Sequence, residues 1–328
     1  MNYKHEEILL MKSFYLSVIF FNLSLLACLA EETSPVGIVA KPFLNSYTQG
    51  RVDLNRDTLI YKQEKVIFGL EVKLNQNWTA RVGVDLIRMS TLYLKPTVLT
   101  FQKNRWTVDG GIFYTSEMDR TLTQIWGNRF IEKVAADRWM FSPTADLGMR
   151  VAYRWNDFIT TDISLVSGNG YQRLTEKYHP KPAFRVILTP VKLLQLGGYI
   201  SARKEKDITE TGFNFFAHLQ MGDKWKVTGE YHQKTNCRFV EKQKMNVASI
   251  YGTYKLMPWM SLMGRYDFIM SNRIDSSGEK DDGRAFIGGM IFQCFPSVRL
   301  SINYWNKRPP VKRIDREDWL YICVEFKY

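Results

Sequence analysis

Four cations, Arg120, Arg129, Lys133 and Arg138, fall within the long stretch Ser116 to Pro143, interleaved with Leu122, Ile125, Trp126, Phe130 and Val134 at helical spacing. An apolar stripe opposite guanidinium and ammonium groups is the pattern of a segment that packs on a wall and turns its charge toward water. In a narrow aqueous passage such charge acts on anions, because it is screened less than on an open surface. A second basic set, Arg81, Arg150, Arg154, Arg185, Arg265 and Arg299, occupies the polar phase of alternating runs, together with Arg203, Asp85, Asp162 and Asp267. Two readings stay open for this set: a field that favours anions, or arginine–carboxylate pairs that stiffen a wall.

Catalysis finds less support. Beyond residue 30 the histidines are His179, His218 and His232, and only His232 shares a phase with a carboxylate, Glu230. No nucleophile motif accompanies it, so a wall histidine is expected rather than a general base, and the chain is not expected to be an enzyme. No phosphate-cradling glycine loop and no zinc-ligand spacing occur, so neither cofactor nor metal is expected. The basic residues lie on strand phases rather than on a reading helix, which argues against a nucleic-acid partner.

The elements that must carry these residues are strands. Tight polar turns are repeatedly followed by an aromatic residue, as in Asn75-Gln76-Asn77-Trp78, Lys103-Asn104-Arg105-Trp106, Asn156-Asp157-Phe158 and Gly222-Asp223-Lys224-Trp225. Each opens a run of period two. Aromatics at one height in successive hairpins build the girdle where hydrocarbon gives way to water. Short connections alternate with long ones, with one brief crossing near Ser90. The expectation is an all-β fold, a transmembrane antiparallel barrel of about 16 strands with short periplasmic turns, longer outer loops and both termini periplasmic. Such a barrel is wide enough to hold water.

The ends agree with export. Met11-Lys12 followed by the apolar run Ser13 to Ala27 has the charge and length of a signal peptide, so residues 1–30 are assigned to it, with translation from Met11 as an alternative start. Leu25-Leu26-Ala27-Cys28 leaves a lipoprotein route open beside cleavage after Ala30. Residues 31–328 then form a single barrel domain. The net charge of +12 survives removal of residues 1–30, which carry two lysines and two acids. Of four cysteines, Cys237, Cys294 and Cys323 lie beyond the signal, an odd set that makes no disulfide framework.

Register assigns faces. In the last run Leu320, Ile322, Val324, Phe326 and Tyr328 share one phase, and Glu325 and Lys327 the other. The apolar phase must meet lipid, since an outward Arg or Lys at mid-membrane costs roughly 2–4 kcal/mol. By the same test Lys226, Thr228, Glu230 and His232 face inward, as do Arg299, Ser301 and Asn303.

The segment Asp146-Leu147-Gly148-Met149-Arg150-Val151-Ala152-Tyr153, a turn at Asn156-Asp157, and Asp162 to Val166 leading into Ser167-Gly168-Asn169-Gly170-Tyr171 resembles the central part of the phosphate-selective porin O/P family. That resemblance implies a sixteen-stranded, often trimeric anion channel in the outer membrane, with outer-membrane lipid, small anionic solutes (phosphate among them) and a homotrimer as partners. The family's lysine-rich ladder has no counterpart in the pattern, where isolated arginines alternate with acids. The aromatic end of the last strand resembles the assembly signal of outer-membrane barrels. The stretch 116–143 is the third outer loop, which in general porins folds into the barrel, so the resemblance implies a constriction there. A surface loop lying across the mouth is the other reading of that stretch. The function expected is passive diffusion of small solutes with anion preference. The competing class is a non-conducting barrel acting as anchor, receptor or adhesin, with that loop as its plug.

Overall fold

A computed structural model describes residues 39–55, 58–87, 91–174, 178–272, 282–308 and 317–328. Sixteen antiparallel strands close into one barrel: β1 (Val39–Asp53), β2 (Thr58–Lys73), β3 (Trp78–Ile87), β4 (Thr91–Lys103), β5 (Trp106–Tyr114), β6 (Ala145–Arg154), β7 (Ile159–Val166), β8 (Lys181–Val191), β9 (Leu194–Glu205), β10 (Ile208–Met221), β11 (Trp225–Thr235), β12 (Lys244–Met257), β13 (Met260–Ser271), β14 (Gly283–Phe295), β15 (Val298–Arg308) and β16 (Glu317–Lys327). Each strand pairs with its neighbours in sequence, and β1 pairs with β16 from Asn45↔Lys327 to Asp53↔Trp319 to seal the ring. A closed ring leaves no unpaired edge to face lipid, the condition a spanning sheet must meet. The signal peptide and its alternative start lie outside the described residues. So do the crossing near Ser90 and the central parts of the last two outer loops.

The short turns are built by their asparagines. The Asn75 carboxamide oxygen accepts from the backbone amides of Asn77 at 2.8 Å and Trp78 at 3.0 Å. Asn156 does the same for Phe158 and Ile159, both at 2.8 Å. Such side-chain turns fix the height at which the next strand begins. The following aromatics then meet cross-strand partners: Trp78 against Phe101 at 4.9 Å between ring centroids, Trp106 against Tyr153 at 4.5 Å, and Trp225 against Tyr254 at 4.3 Å. Pairs of this kind add about 0.5–1.5 kcal/mol each beyond their area burial.

Alternation holds along the wall. On β16 Leu320, Ile322 and Phe326 are exposed to the lipid side while Tyr321, Cys323 and Glu325 are buried inside. On β11 Thr228, Glu230 and His232 are buried and Trp225 and Val227 exposed. In one sector the expectation that apolar residues meet lipid needs correction: Val247, Tyr251, Met263, Ile269, Ile287, Ile291 and Trp305 on β12 to β15 are buried on the inner face. These strands are apolar on both sides, as strands covered on both faces are. What covers them inside is the loop between β5 and β6.

Candidate functional site

That loop, residues 115–144, enters the lumen. Met118, Ile125, Trp126, Phe130, Ile131, Val134, Trp139 and Phe141 form one buried cluster with the inner faces of β10 and β12 to β16 and with Tyr47 of β1. Trp126 stands edge-on to Tyr251 at 5.0 Å, and its indole donates to the Glu132 carbonyl at 2.8 Å. The loop is not a single helix, as the apolar spacing of 122–134 predicts. A π-helical turn, Thr121–Trp126, stops at Gly127 in the left-handed region (φ +61°), and a one-turn helix, Ala135–Arg138, follows. Left-handed backbone favours glycine, which here lets the chain reverse and lay Phe130 and Ile131 on the wall.

Polar ties hold the loop around the circumference. Arg185 of β8 donates to the Ser116 carbonyl at 2.9 Å, and Ser116 donates to Asp162 of β7 at 2.6 Å. Glu117 lies 3.3 Å from the Lys181 ammonium and 3.7 Å from His232. Burial alone would raise the Glu117 carboxyl; the Lys181 charge and the hydrogen bond with His232 outweigh it and hold the group well below its ordinary range. Asp119 faces Arg150 at 3.2 Å, Gln49 of β1 donates to the Ile131 carbonyl at 2.9 Å, and the Trp139 indole donates to Asp267 at 3.1 Å. Arg265 and Lys234 donate to the carbonyls of Lys133 and Phe141, and Arg299 donates to Gly127 at 2.7 Å. The third-loop reading implied by the porin resemblance thus describes the observed path, and the external-loop reading does not.

Packing the loop on β10 to β16 leaves space on the opposite side. An outer cavity of about 530 Å³ lies along β2 and β4, lined by Lys62, Lys65, Arg129, Lys133 and Arg173 against Glu64 and Asp137, with Tyr93, Tyr171 and Gln172. An inner cavity of about 220 Å³ is lined by Lys65, Arg81, Lys95, Arg129, Arg299 and Lys327 against Glu325. The two share Lys65, Arg129 and Thr144, where they adjoin. Cations outnumber carboxylates in both. Lys65 pairs with the buried Asp85 at 2.7 Å, and Arg129 approaches Glu64 at 3.8 Å with one terminal nitrogen lacking a hydrogen-bond partner among the described residues. Lys95 is buried, donates to Thr144 and lies 4.1 Å from the Tyr171 ring centroid; among the described residues no carboxylate pairs with it.

The basic residues singled out in the sequence separate into groups. Arg129, Lys133, Arg81 and Arg299 line the two cavities. Arg150 is held by Asp109 at 2.6 Å, Arg185 by Asp162 at 2.5 Å and Arg265 by Asp267 at 2.7 Å, so their charge is spent within the wall and its contact with the loop. Arg138 faces Glu132 at 3.4 Å and lies over the Trp139 and Trp305 rings, on the packed side of the loop. Arg120 donates to Gln124 on the π-helical turn, and Arg154 is exposed at the short-turn end of β6. Lys62, Lys65 and Lys95 escaped sequence reasoning, while Lys327 was assigned only an inward phase and Tyr171 only a place in the family motif. Lys65 and Lys95 were legible only as single lysines within strands, and a bulge on its own strand obscures the phase of each: Glu64 of β2 is extra opposite Tyr47/Thr48, and Lys95-Pro96 of β4 stand opposite the single Gly83.

The motif after β7 has a structural role at the mouth. Gly168 and Gly170 adopt φ +86° and +85°, and the Gly168 amide donates to Asp146 at 2.8 Å. Tyr171 is thereby turned inward, where its hydroxyl donates to Asp85 at 3.0 Å; burial, then the Asp85 carboxylate, raise its phenol and keep it protonated.

A closed sixteen-stranded barrel with an apolar outer wall, an aromatic girdle and a loop folded into a charged lumen is a transmembrane barrel of the porin type, a fold of the bacterial outer membrane. Solved structures agree. The chain is similar to Pseudomonas putida OprB (11% identity, 89% of this chain and 94% of that one, TM-score 0.69). It is similar to the anion-selective porin from Comamonas acidovorans (7%, 89% and 100%, 0.62) and to a trimer form of Vibrio cholerae OmpT (13%, 89% and 100%, 0.62). No protein-family model matches the chain, and no curated protein does.

Proposed function

We propose that this chain is an outer-membrane porin through which small solutes diffuse passively, with a preference for anions. The observation that carries the reading is the composition of the passage left beside the loop. Its outer part presents five cations against two carboxylates and its inner part six against one. Rings of basic side chains select anions, and low-dielectric walls focus their field. Phosphate is one anion of suitable charge and size for such a passage. The likeness to a trimeric barrel supports a homotrimer, with lipid around its outer rim.

The test is conductance of the purified protein in planar bilayers, with the reversal potential measured across a potassium chloride gradient. Stepwise conductance with an anion-signed reversal potential is expected. Substituting Lys65→Gln and Arg129→Gln should move that potential toward zero. A barrel that assembles but never conducts would overturn the channel in favour of an anchor plugged by residues 115–144. Conductance with no change of selectivity in the double variant would overturn the anion preference alone.

A further inference from the structure

The short-turn mouth of the barrel carries cations that the pairing elsewhere on the inner face leaves over. On β1 Lys41 shares the inward phase of the buried Tyr47, and Lys327 of β16 pairs with Asn45 in that phase. Lys73 follows Glu71 inward on β2, Lys226 precedes the buried Thr228 on β11, Lys255 follows the buried Tyr251 on β12, and Arg154 follows Arg150 on β6. Lys226 is half-buried and the other five are exposed. The acids of this rim are engaged, Glu71 with Arg81 at 3.9 Å and Glu325 with Arg299. Among the described residues none of the six cations has an ion-pair partner. At the turn tips acids stand among the cations: Lys103, Arg105, Lys192 and Lys224 with Asp157 and Asp223, and Arg105 is tied to the Trp155 carbonyl at 2.7 Å.

Two features of this rim restrict what it can hold. Its cations have the inward phase and face the aperture, so headgroups around the outer wall do not reach them. They also lie in separate arcs, because β11 and β12 stand across the ring from β1 and β2. With strands ~4.8 Å apart and tilted by ~40°, a ring of sixteen is roughly 30 Å across between backbones. A small anion meets one arc at a time, whereas an extended polyanion meets both and gains the avidity of linked contacts. We infer that the short-turn mouth binds an extended acidic segment of a soluble periplasmic protein, its carboxylates shared between Lys41 and Lys73 on one side and Lys226 and Lys255 on the other. A flexible segment can enter the aperture and reach these residues. A cross-linked glycan sheet would rest on the turn tips, where Asp157 and Asp223 oppose it. The inference concerns the rim and does not depend on conduction through the lumen.

Fluorescence anisotropy of labelled glutamate peptides with the full-length protein in non-ionic detergent at low salt tests it. Decaglutamate reaches about 35 Å when extended and tetraglutamate about 14 Å, so only the longer peptide spans both arcs. At equal glutamate concentration decaglutamate should bind at least roughly tenfold tighter. Lys41→Gln with Lys73→Gln, and separately Lys226→Gln with Lys255→Gln, should each weaken it about five-fold, from the usual worth of exposed ion pairs. Lys204→Gln with Lys242→Gln, at the opposite rim, should leave it unchanged. Equal binding of the two peptides by the unaltered protein would overturn the site without recourse to any variant. So would an opposite-rim pair that weakens decaglutamate as much as either mouth pair. Co-sedimentation with purified peptidoglycan sacculi, lost in both mouth pairs and not competed by decaglutamate, would overturn the polypeptide in favour of the cell-wall polymer.

Discussion

Glu117→Gln is the perturbation that most directly tests whether the loop is latched inside the barrel. The carboxylate and the Lys181 ammonium are 3.3 Å apart, with side-chain exposures of 2% and 6%. At an effective dielectric near 20 that separation corresponds to about 5 kcal/mol of attraction. Deleting one partner of a buried pair costs about 3–5 kcal/mol. Lys181 keeps a hydrogen bond to Ser142 at 3.3 Å, and His232 keeps Glu230 at 3.5 Å, so the lower end, about 3 kcal/mol, is expected. A loss of that size shifts the ratio of docked to undocked loop by roughly 150-fold. The readouts are current noise in bilayers and protease cleavage within residues 115–144 of the assembled barrel, both of which should rise. The sign with pH follows from the depressed carboxyl. The stabilisation is complete above its ordinary value of 4.5 and declines as pH falls below that toward the depressed one. Acidification below 4.5 should thus raise noise in the unaltered protein and change the glutamine variant much less. If Glu117→Gln and the unaltered protein show the same noise and the same cleavage at every pH, the latch is refuted.

Deleting residues 122–134 should raise single-channel conductance, since it removes Trp126, Phe130 and Val134 from the lumen; unchanged current steps would place the narrowest point elsewhere. Gly127→Ala meets no atom within 4 Å but must hold φ +61°, so a backbone cost of about 1–2 kcal/mol is expected, read as increased current noise without loss of barrel assembly. For orientation, Lys242→Cys on the tip after β11, with a side chain 89% exposed, should label on intact cells, whereas Gln76→Cys on a short turn should not; the reverse pattern would invert the barrel. Trp106→Ala should lower the unfolding midpoint in detergent through loss of its pairing with Tyr153, while leaving ion selectivity as it was.

The barrel was legible because its signals are local. A turn asparagine, an aromatic just after it and a period of two are each readable within a dozen residues, and the observed strand starts at Trp78, Trp106 and Trp225 fall where those signals put them. The loop's apolar stripe was legible for the same reason, through Ile125, Trp126, Phe130 and Val134. Its side was not. Which wall the stripe meets depends on the inner faces of β12 to β14, and alternation alone sends their apolar residues to lipid. The run Ala285-Phe286-Ile287, apolar on both phases, was the available sign of a strand covered on both faces. The two cavities were less legible still, because Lys65, Lys95, Arg129 and Tyr171 come from four distant segments. Ion pairing also redistributes charge in ways that a count cannot foresee: Arg150, Arg185 and Arg265 are the most evident inward cations of the sequence, and each faces its own aspartate.

One property of the closure has a bearing on assembly. The inner cavity touches Asn45 and Tyr47 of β1 and Glu325 and Lys327 of β16, so it lies beside the joint where the first strand meets the last. A chain halted before that joint zips would have this cavity bounded on one side by membrane rather than by protein. On the proposed channel function, permeability and completion of folding are the same event, and a half-built barrel carries no finished hole.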